Sequence, residues 1–406
     1  MNKPLDGIRV LDFTQFMSGP MCTLLLSDFG AEVIKIENPP LGDATRYGKI
    51  VDNEVSSHYA TRNRGKKSIV LNMKDPKHKE LFLELVKTAD VVVENYKPGT
   101  MEKFGLPYEK LAEVNPAIVM TSISGYGQTG PYSSHAAFDQ TVQAESGLMS
   151  ITGYPGMDPV KCGPSVADYC GGLCGCIGTL MAVIEAKRTG HGRHVDVSMM
   201  DAIVFCLENT MSTYLRNGII PQPAGNGYAS SAPIGAYMCK DGAPLMISVS
   251  TDSLWQSFCK AVNKPDWAAD ESLATMGNRA ARREEVDAMV SELFAQYTSD
   301  EMSEMLQSVK MVYGRVNNFK QVAEHPQVAH RKTLVNANFP NGVSFTVPGN
   351  PIHMSGLVRE TEYDAVPLGY NTIEVLKEVA DEATVHQIFD PLLQQVEESV
   401  KARYSK

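Results

Sequence analysis

Short apolar runs alternate with helix-like stretches over the first 125 residues, and that alternation restricts the fold more than any other feature. IRVLDF (8–13) reads as a buried strand, GPMCTLLLSDFG (19–30) as a helix stopped by Gly30, and EVIKIE (32–37) as the next strand. A helix from about Pro76 to Lys87 leads into DVVVEN, and a Pro-bounded segment leads into AIVMTSISG. Runs of this length, separated by amphipathic helices, form a parallel sheet covered by helices, so the expected fold class is α/β. Ligands in such sheets gather beyond the carboxyl ends of the strands. Those ends are Thr14-Gln15-Phe16-Met17, Asn38, Asn95-Tyr96-Lys97 and Ser124-Gly125-Tyr126.

The first strand–helix turn, FTQFMSGP, lacks the GxGxxG spacing that lets a backbone touch a pyrophosphate. That argues against a nicotinamide dinucleotide, and Glu37 at the end of the second strand reads as structural. At 406 residues the chain is expected to form two domains. A net charge of −10 argues against nucleic acid as a general partner, although local Lys and Arg can still hold an anionic ligand. The N-terminus, MNKPLDGIRVLDFTQ, does not read as a signal peptide, and the longest apolar run, Leu173 to Ile184, reads as too short and too Gly-rich for a bilayer. No membrane association is expected. Eight cysteines are scattered without paired CxxC spacing, so reduced thiols in a cytoplasm, and no metal site, are expected.

Asp168 heads the most helix-like stretch of the chain, VADYCGGLCGCIGTLMAVIEAKRTG. Leu173, Ile177, Leu180, Met181 and Ile184 recur at three- and four-residue steps, Lys187 and Arg188 load the last turn, and Gly190 supplies a stop. Asp is a preferred N-cap, so one reading of Asp168 is a cap; the other is a nucleophile. Gly171, Gly172, Gly175 and Gly178 each cost roughly 0.5–1 kcal/mol against Ala, which implies close approach by another helix or by a ligand. Periodicity alone leaves both pairs of readings open. Further on, HVDVSM reads as a strand, Met200 to Arg216 as a helix, and PQPAGNGYASSAPIG as a linker. GAYMCKDGAPLMISVS reads as a hairpin around Lys240-Asp241-Gly242. Helices follow in DSLWQSFCKAVN, NRAARREEVDAMVSELFAQY and SDEMSEMLQSVK, the last capped by Ser299 or Asp300. The tail from about 320 reads as a helix, a strand pair and a final amphipathic helix.

Seven collinear fragments resemble the class III CoA-transferases: PLDGIRVLDFTQFMSGPMCTLLLSDFGAEVIKIE, GDATR, NRGKKSIVLNMK, DVVVENYKPGTMEKFGL, SGYGQTGPY, ADYCGG and GHGRHVDVSMMDA. The resemblance implies a Rossmann-like large domain with a parallel sheet plus a smaller α/β domain, in an interlocked homodimer. Its segments would be 1–222, the first part of a large CoA-binding domain, 225–315, a small domain, and 320–406, returning to the large one. It implies CoA transfer from an acyl-CoA donor to a carboxylic acid acceptor, with Asp168 carrying first an acyl anhydride and then a CoA thioester. Such nucleophilic catalysis by a carboxylate needs a site that excludes water. CoA and acyl-CoA are then substrates, and no permanently bound cofactor is implied. Met17, Asn38, Leu71, Asn72, Met73, Lys74, Asn95, Tyr96, Lys97, Lys103, Ala136, Ala137, Phe138 and Asp139 are the implied CoA-binding positions.

Three departures narrow what that family pattern carries over. Asn38 stands where formyl-CoA transferases commonly have Arg, Ala136 where they have Lys, and NGYASSAPIGAY where they have a run of glycines. A racemase-like enzyme of the same superfamily is the rival. It needs a His as a second base, but Phe138 occupies that place and His135 falls three residues earlier, where it reads as a surface-loop residue. A non-catalytic CoA-ester-binding protein is the remaining alternative.

Overall fold

The computed structural model describes residues 3–48, 51–228 and 231–404. The chain divides into two compact units: Met1–Leu148 with Lys161–Asn217 and Pro326–Lys406, and Met149–Val160 with Gly218–His325. The larger unit carries six parallel strands: β1 (Arg9–Asp12), β2 (Glu32–Glu37), β3 (Lys67–Val70), β4 (Val91–Glu94), β5 (Val119–Ser124) and β6 (His194–Ser198). They lie in the order β3-β2-β1-β4-β5-β6, so the chain winds outward from β1 to one edge, then crosses back to β4 and winds to the other. This is the doubly wound arrangement, and its switch point lies between β1 and β4.

The period-two alternation of buried strands explains the two cores. Leu11, Ile34, Ile36, Ile69, Val92 and Met120 point to one face, where α3 (Pro76–Val86) and the C-terminal helix Glu382–Tyr404 supply Phe82, Leu85, Val385 and Phe389. Val10, Val33, Val91, Val93 and Val119 point to the other, against α1 (Ser18–Asp28) and α5 (Val166–Thr189). The larger unit also holds α2 (Ser57–Asn63), α4 (Asp139–Glu145), α6 (Met199–Cys206) and α7 (Glu208–Asn217).

By length and composition α5 is apolar enough to cross a membrane. In the fold one face of it packs against the sheet and α1, and its glycines say why. A Cβ on Gly172 would lie 2.6 Å from the Ser18 carbonyl oxygen, one on Gly175 2.6 Å from Ile123 Cδ1, and one on Gly178 2.7 Å from a Val195 methyl. The space those glycines clear is filled by α1, β5 and β6, which decides the open question in favour of protein rather than ligand.

In the smaller unit Ile234–Met238 and Pro244–Ser248 form the expected hairpin, extended by Tyr313–Arg315 on the outer edge, all antiparallel. Helices Asp252–Ala261, Arg283–Phe294 and Ser299–Ser308 pack Trp255, Phe258, Phe294 and Leu306 onto it. Several expectations shift in detail. The cap of Ser299–Ser308 is Thr298, whose hydroxyl accepts from Glu301 N–H while Glu301 returns to Thr298 N–H, a reciprocal capping box. The helix expected at Met200–Arg216 breaks at Leu207 into α6 and α7, and the helix expected from Asn278 breaks at Arg282. The tail holds a third strand, Glu362–Asp364, parallel to Leu334–Asn338. Ala229 and Ser230, inside the linker and the stretch NGYASSAPIGAY, lie outside the described residues.

Candidate active site

At the switch point the loops after β1 and β4 are tied together. Asn95 accepts from Gln15 N–H (2.7 Å) and donates to Gln15 carbonyl (2.8 Å) and to the Ser18 hydroxyl (3.2 Å). The clamp holds Phe16 in the left-handed region (φ +63°), with its ring half exposed and edge-on to the Phe138 ring at 6.1 Å. A bulky residue adopts that backbone only under constraint, which the Asn95 clamp supplies.

Asp168 sits beside this loop, and it is not the cap. Helix α5 begins at Val166 after Ser165, which makes Asp168 its third residue. The free N–H groups of the first turn are instead taken from outside: Asp139 Oδ1 accepts from Ala167 N–H at 2.8 Å and from Asp168 N–H at 3.4 Å. Asp139 is buried, and its second oxygen accepts from Gln143 Nε2 at 2.6 Å. A carboxylate at a helix N-terminus is stabilised by the orphan donors and the helix dipole together. With capping delegated to Asp139, the oxygens of Asp168 accept from no backbone N–H among the described residues. Burial, then the neighbouring Asp139 charge, push the Asp168 carboxyl up to about 6, against the pull of the Arg62 guanidinium and the Ser18 hydroxyl. A carboxylate with a raised pKa is the better nucleophile, and it is still mostly ionised at neutral pH.

A cleft of about 210 Å³ opens next to Asn95, lined by Phe13, Gln15, Ile36, Asn38, Leu71, Asn72, Met73, Lys74, Tyr96 and Phe104. Six of the implied CoA positions therefore converge. Their roles differ from one another. Leu71 and Met73 bury their side chains in the core and can offer a ligand backbone only. Asn72 receives Lys74 N–H on its side-chain oxygen (3.0 Å), and its own N–H is held by His78 (3.0 Å), so it shapes the turn. Lys74 and Asn38 are exposed at the rim. The Tyr96 ring packs between Phe13 and Phe104 at 6.4 and 6.1 Å, and burial raises its hydroxyl well above the ordinary range.

The remaining implied positions fall elsewhere. Lys97 lines a separate cavity of about 60 Å³ with Glu94, Ser122 and His194, and Lys103 is exposed on the single turn Thr100–Lys103. Met17 is half-buried as the residue before α1, and its carbonyl accepts from Met21 N–H at 3.0 Å. Ala136 and Phe138 are exposed, Ala137 packs against Gly125, and the carboxylate of Asp139 is wholly engaged as described. His135 is exposed and its ring meets Tyr132 at 4.6 Å.

Beneath the loops lies a tier of buried charge. Lys66 pairs with Asp12 (3.0 Å), Lys35 with Asp43 (3.1 Å) and Arg46 with Glu37 (2.6 Å), all but Arg46 and Glu37 having side chains with no solvent exposure. Lys35 also donates to the Thr14 carbonyl (2.6 Å), and Lys66 to Thr23, Asn63 and the Pro20 carbonyl. Glu37 accepts from Ser68 as well, which accounts for it without a ribose. A signal for this tier was present in the sequence: Asp12 and Lys35 interrupt otherwise apolar strands, and a charge there must be paired.

Residues 5–372 match the family model for CoA-transferase family III. This chain belongs to that family. Among its relatives, the acetyl-CoA:oxalate CoA-transferase of Acetobacter aceti is 36% identical over 366 residues, covering 90% of this chain and 92% of the relative. The human succinyl-CoA:glutarate CoA-transferase is 35% identical over 378 residues, covering 93% and 86%. In three dimensions a CAIB/BAIF family protein from Brucella suis superposes with a TM-score of 0.83 at 32% identity, covering 94% of this chain and all of that one. As a member of family III the chain is an enzyme, a CoA-transferase acting on CoA thioesters and carboxylic acids.

Proposed function

We propose that Asp168 is the nucleophile of this transferase and that the acids it exchanges are dicarboxylic. The carrying observation is the delegated cap: Asp139 satisfies the helix start, which leaves the Asp168 carboxyl beside the switch-point loops without a capping role and raised to about 6. Its oxygen attacks the thioester carbonyl, the C–S bond breaks, and CoA leaves as thiolate. The thiolate then attacks the Asp168 carbonyl of the anhydride, which releases the first acid and leaves CoA on the enzyme. The acceptor carboxylate attacks that thioester, forming a second anhydride and freeing the thiolate again. The thiolate finally takes the acceptor's acyl group, and the Asp168 carboxylate is restored. Asn38, Asn72, Lys74 and Tyr96 around the 210 Å³ cleft are the CoA-holding residues in this reading, with the backbone at Leu71 and Met73. Oxalate and glutarate in the names of the two relatives support a dicarboxylic acceptor.

A second copy of the chain is the occupant we assign to the exposed stripe Leu173, Ile177, Met181 and Ile184 on α5, with Phe205 on α6. An apolar face of this extent suits a homodimer. The cysteines, all unpaired, suit a reducing cytoplasm. Incubation with acyl-CoA followed by hydroxylamine is expected to leave a hydroxamate on Asp168; a protein that turns over without any adduct there overturns the nucleophile. Sedimentation of the Ile177→Asp, Met181→Asp double variant is expected to show monomers, and an unchanged dimer overturns the assigned face.

A further inference from the structure

Among the described arginines of the larger unit Arg62 lacks a carboxylate partner, as does the half-buried Arg359. Arg9, Arg46 and Arg64 each form an ion pair with a carboxylate. Among the described residues the Arg62 guanidinium makes one hydrogen bond, from Nη1 to the His58 carbonyl at 3.1 Å. Its Nε–H is buried without an acceptor. A buried donor left unmade carries a free-energy penalty, and a guanidinium fork without a carboxylate is the geometry that receives one.

Its location gives that vacancy a meaning. Arg62 lies in the last turn of α2, and Lys66 pins this end of α2 to the first turn of α1 by bonding both Asn63 (2.9 Å) and the Pro20 carbonyl (3.2 Å). The same turn of α1 contains Ser18, whose carbonyl abuts Gly172 and whose hydroxyl serves Asp168. The end of α2 that carries Arg62 thus meets the turn of α1 that packs on α5, and the Arg62 charge pulls on Asp168 across that junction, with no hydrogen bond between the two among the described residues. Formation of an anhydride removes the negative charge from Asp168. The cation beside it then faces a neutral acyl group, unless that group brings a carboxylate of its own.

We propose that Arg62 receives the distal carboxylate of a dicarboxylic acyl group carried on Asp168, and so selects diacids over monoacids of equal length. This rests on the reading of Asp168 given above and adds the residue that sets specificity. Arg is suited to the task because its planar fork binds a carboxylate through two parallel N–H bonds, which a Lys ammonium does not reproduce.

Calorimetric titration of the full chain, with CoA present, tests it without turnover. Three pairs of acids differing by one carboxylate are compared: oxalate with acetate, succinate with butyrate, and glutarate with valerate. The wild type is expected to prefer the diacid of at least one pair by about tenfold or more, the range of a charge-assisted hydrogen bond. Arg62→Gln is expected to abolish that preference, with binding of the monoacid retained, and Arg62→Lys to keep part of it. A wild type that binds every pair alike, an R62Q variant that keeps the preference, or one that weakens both members equally overturns the proposal. Failure of the Asp168 reading is distinguishable, because it appears as a missing hydroxamate, whatever the binding preference.

Discussion

Replacing Asp139 by Asn isolates the electrostatic part of the delegated cap. The variant keeps an oxygen for the Ala167 and Asp168 N–H groups but removes the charge that, after burial, does most to raise Asp168. Two unit charges 4 Å apart at an effective dielectric of 20 interact by about 4 kcal/mol. Asp139 Oδ1 lies 3.4 Å from the backbone nitrogen of Asp168, not from its carboxylate, and the charge is shared among three N–H donors. Taking about a third of the ceiling gives about 1.4 kcal/mol, or one pH unit. Asp168 starts from about 6, so its midpoint in Asp139→Asn is expected at about 5, burial keeping it above an ordinary aspartate. The sign follows from the proposed reacting form: with the Asp168 anion as the proposed nucleophile, activity in the variant should persist about one pH unit further into acid. A ¹³C NMR titration of carboxyl-labelled aspartates, with Asp168 assigned by difference against Asp168→Asn, reads the midpoint directly. A midpoint unchanged or higher in D139N would refute the coupling. Asp139→Ala, which loses the cap as well, should destabilise the fold by about 1–2 kcal/mol.

The glycines of α5 make a graded prediction in urea unfolding. Gly172→Ala drives its Cβ into backbone at the Ser18 carbonyl and should cost about 2–3 kcal/mol, while Gly175→Ala meets a movable Ile123 side chain and should cost less. Glu94 is buried, and burial raises its carboxyl from an ordinary 4.5 to about 7. The folded state thus holds this proton more tightly than the unfolded state, so stability falls as pH rises between those values, by up to about 3 kcal/mol. Glu94→Gln should remove that part of the decline, and an identical pH–stability curve in the variant would exclude it. Arg46→Met strands Glu37 and should cost about 3–5 kcal/mol, whereas the Glu37→Gln, Arg46→Met double variant should recover part of the loss.

The sheet was legible because β1, β2, β4 and β5 are apolar runs closed by polar or glycine residues. β3 was not read from the sequence, and its pairing with β2 is what makes KSIV a strand. The position of Asp168 at a helix start was legible, but its exact place was not. The cap comes from a residue 29 positions earlier, a contact that topology sets and no local spacing contains. The glycines signalled close approach, yet their partners, Ser18, Ile123 and Val195, come from three other elements. Likewise Leu71 and Met73 share a segment with Asn72 and Lys74, and only the turn decides which side chains face the cleft.

The tier of buried ion pairs has a bearing on how the sequence can change within this framework. Asp12, Lys35 and Lys66 each hold more than one loop at once, so shifting any single loop would strand a charge in a medium that cannot solvate it. The tier of buried pairs is consequently resistant to drift: substitutions there are coupled and must arrive together. Exposed side chains without such partners, such as Phe16 and Phe138 beside the switch-point loops, can be exchanged one at a time. Change would accumulate in those exposed side chains while the buried pairs under the loops stay constant.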